Sequence, residues 1–135
     1  MRNEICEVHN ENIEKIKGEL ESSSNLHLVE LHGKQIQSWE DYIGKMEDAF
    51  KLPTQWPNTI DSYNDWMTDL EWLGRDSYAL IIYDYQNFLE NDLALKNIVI
   101  QDFQELILPW WQGEVEKCVV GGKAKSFNIY LVLTD

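Results

Sequence analysis

Residues 78–83 read YALIIY, a run with no charge, glycine or proline. So short an unbroken apolar stretch suits a strand, and one covered on both faces, as in a parallel sheet. Parallel strands need long crossovers, so helical patterns are expected on either side. Upstream, Leu26, Leu28 and Leu31 mark a first strand, and His32-Gly33 a turn after it. Ser38 is a good helix N-cap with Asp41 three residues on, and Trp39, Tyr42, Ile43, Met46 and Phe50 recur at helical spacing. Pro53 and Pro57 break that helix. Asn58 or Thr59 can cap a second helix running to about Leu73, with Gly74 as its stop. Downstream, residues 86–95 fit a short helix, and residues 97–111 a longer one with Ile100, Phe103, Leu106 and Ile107 on one side. Pro109 predicts a kink or break there. Gly121-Gly122 is a turn, and residues 127–133, FNIYLVL, form a final strand. The order β-α-α-β-α-α-β predicts a small α/β domain: a three-stranded parallel sheet packed with about four helices.

The first 25 residues read as an extension. Residues 10–20 can form a short helix with Ile13, Ile16 and Leu20 on one face, and Ser22-Ser23-Ser24-Asn25 reads as a linker. The domain itself is expected over residues 26–135.

Composition bounds the function. With 135 residues, 44% of them apolar and 12% aromatic, the chain can bury the core of one domain. Lys and Arg total 11 against 24 Asp and Glu, a net charge of −13. That balance argues against a nucleic-acid binder, which needs cations for phosphates, and against an anionic membrane surface. No apolar run approaches the roughly 20 residues of a membrane span, and the N-terminus is too charged for a signal peptide, so the expected address is the cytoplasm. Cys6 and Cys118 form no CxxC pair and are expected as reduced thiols. The charge is uneven: residues 38–105 hold fourteen acids against four bases, a net −10, whereas residues 106–135 hold three of each.

The second predicted helix concentrates the anionic character. At 100° per residue, with Ile60 at 0°, Tyr63, Trp66, Met67, Leu70 and Leu73 fall in an arc of about 220–340°. Asp61, Asp65 and Asp69 fall near 100°, 140° and 180°, on the opposite side, and Trp72 near 120° among them. A charged stripe of this kind is commonly a solvated face. Here no lysine or arginine stands at i±3 or i±4 to relieve the repulsion, and two of the acids lie where the helix dipole disfavours anions. A tryptophan beside unpaired acids also fits an interface anchor, so a cationic partner is the alternative reading.

The same region carries a resemblance. Leu52-Pro53, Trp56-Pro57 and the run Ile60-Asp61-Ser62-Tyr63-Asn64-Asp65 resemble the second helix of the barstar family and the loop before it. Leu31-His32-Gly33-Lys34-Gln35-Ile36 is similar to that family's first strand and turn, residues 80–88 to its second strand and exit, residues 100–105 to its last helix and residues 127–133 to its last strand. The resemblance covers about residues 28–133. It implies an intracellular inhibitor, of immunity or antitoxin type, that plugs the active site of a basic toxin, a ribonuclease above all, with an acidic helix. No cofactor and no catalytic residue are expected, and the chain is expected as a monomer. Under the resemblance, Asp65 takes the place of the family's dominant inhibitory aspartate and Asp61 that of the aspartate one turn earlier. Thr68 matches a threonine on the same face, and Gln55 and Trp56 occupy two aromatic positions of the loop. Gln55 departs from the aromatic, Pro57 replaces a glycine, Asn64 stands where the family has an exposed tryptophan, and Asp69 replaces a glycine. Asn97 falls near a family glutamate.

Two other readings stand beside this one. Asp84 follows the central apolar strand, where α/β enzymes place catalytic or metal-binding carboxylates, so a small metal-dependent hydrolase using Asp84 and the helix acids is an alternative. A basic partner that is not a nuclease is another. His27 and His32, five apart on a strand, fall on opposite faces and do not read as a metal pair. No phosphate-loop, dinucleotide or nucleophile-elbow motif is present. Trp110-Trp111 is expected as one core and one partly exposed residue.

Overall fold

The structure is a computed structural model that describes residues 2–53 and 59–134. In chain order its elements are β1 (Ile5–His9), α1 (Ile13–Glu21), β2 (Leu26–His32), α2 (Trp39–Phe50), α3 (Ile60–Met67), β3 (Ser77–Tyr83), α4 (Leu93–Asp102), α5 (Val115–Cys118) and β4 (Ser126–Leu133). The sheet is entirely parallel, in the order β1-β4-β3-β2. The apolar run of β3 lies inside it, with Tyr78 through Ile82 all buried, as a strand covered on both faces must be.

The alternation of each strand splits the core in two. Val29, Leu31, Tyr78, Leu80, Ile82, Phe127, Ile129 and Leu131 face the larger cluster, where residues of α2, α3, α4 and α5 pack. Ile81 and Val132 face the other way and are covered by Ile13, Ile16 and Leu20 of α1. Lys17 of α1 pairs with Glu30 of β2 at 3.2 Å on the same side.

The expected three strands are four. Residues 5–9 add an edge strand to β4, with Ile5 opposite Ile129, and Asn3 anchors it by accepting from Phe127 N–H (3.0 Å) and donating to Lys125 O (3.0 Å). The segment ICEVH carries a weak apolar signal because an edge strand of five residues has one unpaired side and little to bury. Residues 86–95 are not the expected helix. Tyr85–Asn87 is a single 3-10 turn, and Leu89, fully buried with φ 50°, donates its N–H to Ile36 O. Helix α4 begins at Leu93, where Asp92 accepts from Leu95 N–H. Pro109 does not break the chain. Helical dihedrals continue through it, with π-helical turns at Phe103–Ile107 and Trp110–Glu114 on either side. A wider turn accommodates the missing N–H and the ring that would clash in an α-helix. As expected, Trp111 is buried and Trp110 partly exposed.

The ends of β2 and β3 meet closely. A Cβ on Gly33 would lie 2.4 Å from Asp84 O, so only glycine fits there. Among the described residues no helix is long and apolar enough to cross a membrane.

Candidate functional site

Helix α3 opens with Thr59, whose side chain accepts from Ser62 N–H at 3.1 Å. Tyr63 and Met67, one turn apart, are buried at 1% and 0% exposure and fix which face turns inward. Asp61 and Asp65 are then both exposed, also one turn apart. The ion pairs among the described residues are Arg2–Glu4, Lys17–Glu30 and Lys117–Glu114, none of which reaches α3. Two like charges at i,i+4 with no cation between them cost the helix a few tenths of a kcal/mol.

The stripe is shorter than the wheel predicts. Thr68 ends the helix with φ −100° and ψ 10°, and Leu70 takes a left-handed φ of 56°. The driving force is burial: Leu70 is fully buried in the main core, which repays a backbone conformation that a leucine otherwise avoids. Asp69 therefore leaves the helix, is only half-exposed, and accepts from Glu71 N–H at 3.3 Å. Trp72 sits in a 3-10 turn, Glu71–Leu73, not on the wet side of α3. Its indole N–H donates to Phe50 O at 2.9 Å and its ring meets Trp66 edge-on at 5.6 Å, so it serves as packing between α2 and α3 and not as the exposed anchor the wheel predicts.

Asn64 and Thr68 are half-exposed. The Thr68 hydroxyl donates back to Asn64 O at 2.7 Å, which leaves only its lone pairs for an outside donor. Asn64 turns toward α4 and donates from Nδ2 to Asp102 Oδ1 at 2.9 Å. Gln55 and Trp56 lie outside the described residues.

Asp102 is the residue that sequence reasoning misses. Burial pushes its carboxyl above the ordinary range, and the bond from Asn64 works in the opposite direction. The available signal was its place directly before Phe103 and three residues after Val99, both core positions, which sets an acid at the edge of a buried face. Beside it, Tyr42 and Tyr63 share a buried hydroxyl-to-hydroxyl bond of 2.6 Å, and burial raises both phenols well above their usual range.

Elsewhere, Asn97 is exposed and lines a shallow hollow of about 310 Å³ with Tyr85, Ile100, Gln101 and Gln104. A larger cleft of about 600 Å³ runs from Thr68, Asp69 and Glu71 toward Val119 and Val120. Asp84 has left-handed backbone, φ 48°, and its main-chain carbonyl accepts from Asn87 N–H, so it closes the exit turn of β3. His27 Nε2 lies 2.8 Å from Ala49 O, whereas His32 stacks on Tyr83. No group of three or more metal-ligating side chains gathers among the described residues.

What this arrangement can do is present two exposed carboxylates, with no ion pair to them among the described residues, on a capped helix. Such groups accept charge-assisted hydrogen bonds from a cationic surface. Comparison with known proteins gives one finding: the family model described as Barstar (barnase inhibitor) matches residues 26–121, well over half of the chain. No curated protein and no solved structure matches it.

Proposed function

The chain belongs to the barstar family, and from that premise we propose that it is a protein inhibitor that binds a basic toxin, a ribonuclease, and blocks its active site with α3. The family's own description, barnase inhibitor, supports the inhibitor part of this reading. The observation that carries the rest is the pair Asp61 and Asp65, exposed one turn apart and in no ion pair among the described residues.

The chemistry follows from what a ribonuclease site must hold. It binds phosphates, so it presents arginine, lysine and protonated histidine. Carboxylates on a fixed helix take the phosphate positions and accept the same hydrogen bonds. Asp65 is the central contact and Asp61 the second. Thr68 and Asp69 lie at the end of the same face, and Asn64 at its inner edge. Gln55 and Trp56, which precede α3 in the sequence, complete the contact in this proposal. The net −10 of residues 38–105 accelerates encounter with a basic protein, and salt slows it.

The test is direct. Wild type and an Asp61→Ala/Asp65→Ala variant are used to capture partners from cells of the protein's own source, at low and high salt. A basic nuclease held by the wild type, lost from the variant and shed by salt supports the proposal. Identical recoveries from both proteins overturn it and make the stripe a solvated face. For a captured nuclease, Asp65→Ala is expected to raise Kd by more than tenfold, which corresponds to at least about 1.4 kcal/mol. Its melting temperature should stay near that of the wild type, because an exposed substitution changes stability by about 0.5 kcal/mol or less.

A further inference from the structure

Between α3 and α4, a hydrogen-bonded pair of side chains leaves two acceptors stranded among the described residues. Asn64 Nδ2 donates to Asp102 Oδ1 at 2.9 Å. The remaining oxygens of the same two side chains, Asn64 Oδ1 and Asp102 Oδ2, are both buried and have no partner among the described residues. Buried acceptors left unpaired are costly, and two of them on one bonded pair ask for a shared donor. A carboxamide and a carboxylic acid can supply it between themselves, because a protonated carboxyl has one O–H to give.

We propose that Asn64 and Asp102 form a proton-operated clamp between α3 and α4. When Asp102 takes a proton from solvent onto Oδ2, that hydroxyl donates to Asn64 Oδ1, and Asn64 Nδ2 still donates to Asp102 Oδ1. One hydrogen bond becomes a ring of two, and both orphaned acceptors are satisfied. When the proton leaves, one bond remains and the two oxygens are stranded again. No covalent bond changes in this step.

The surroundings favour the proton. Burial disfavours the charged carboxylate, in the direction already noted for Asp102. The titratable groups that face it are Tyr63 from α3 and Tyr42 from α2, both held neutral by burial. On its own helical run the nearest other acid is Glu105, which is exposed. No ion pair among the described residues reaches Asp102, and the sequence of residues 54–58 contains no charged side chain. The clamp holds the helix that carries Asp61 and Asp65, so mild acid tightens the seat of the acidic face. This inference goes beyond the inhibitor reading and needs no partner, so either can fail without the other.

The test uses the full chain. First, the carboxyl carbon of Asp102 is titrated by NMR. The clamp requires a midpoint above that of an ordinary aspartate, and a midpoint at or below it overturns the proposal. Second, a double-mutant cycle of Asn64→Ala and Asp102→Ala is measured by thermal melting at several pH values. The coupling between the two positions is expected to grow as pH falls through that midpoint, because a second bond forms. Coupling that is constant, or that weakens as the carboxylate is lost, overturns it. Third, Asp102→Asn places a permanent donor where the proton would sit. It is expected to melt a few degrees above the wild type at neutral pH, with the gap closing in acid. A variant that melts below the wild type at every pH rejects the clamp.

Discussion

At the scale of single residues, the buried hydroxyl pair of Tyr42 and Tyr63 sets how the protein meets alkali. Burial raises both phenols, and Tyr78 is pushed up to about 12 by the same cause. The unfolded chain ionises its tyrosines near pH 10, so above that value it releases protons that the fold retains. This contribution is fully present below about pH 10 and is lost as pH rises toward the raised values. The expected outcome is that tyrosinate absorbance from these residues appears together with loss of near-ultraviolet circular dichroism, and not before it. An early tyrosinate signal from an intact fold would contradict the assignment. Asp61 and Asp65 were legible in the sequence because their neighbours Tyr63 and Met67 repeat at helical spacing, and periodicity alone orients such a helix. Asp102 was not legible, because what distinguishes it is a partner 38 residues away on another helix.

At the scale of elements, the ends of helices decide what stays in place. Lys51 closes α2 in left-handed backbone, φ 52°, with an exposed side chain. A lysine there bears the Cβ strain without a buried contact in return, unlike Leu70. Lys51→Gly is therefore expected to raise stability by about 1 kcal/mol, read as a higher urea midpoint at unchanged slope. The same contrast explains why the wheel placed Asp69 and Trp72 wrongly. Its angles assume one helix to Leu73, but the chain turns at Leu70 to bury that side chain, a tertiary demand with no local sign such as glycine or proline. Gly74, also left-handed at φ 61°, was read as the stop and instead ends the 3-10 turn that follows. Pro109 misled in the opposite direction, since a proline signals a break in an α-helix and the π-helical turns beside it are invisible in the spacing. The strands fared best where both faces are covered, in β3 and β4, and worst in β1, whose five residues gain their meaning from β4 more than a hundred positions away.

At the scale of the molecule, the sheet needs both of its covers. Residues 1–25, read from the sequence as an extension, supply α1 over Ile81 and Val132 as well as the edge strand β1. A fragment of residues 26–135 is expected to bind a hydrophobic dye and to melt without a sharp transition, because it uncovers one whole face of the sheet and an inner edge. Dye exclusion with sharp melting would instead show that the domain stands without them. The strand order also has a consequence for synthesis. β4 lies between β1 and β3, yet it is made after both. While the ribosome is still short of residue 126, β1 has no neighbour to pair with and β3 is open on one side, whatever their own propensity. The core behind α3 also lacks Phe127, against which Phe50 and Phe103 pack. A nascent or prematurely terminated chain therefore displays the carboxylates of α3 on an unfinished support. The presenting face acquires its full support only once β4 has been added, and unfinished chains are left as ready substrates for proteolysis.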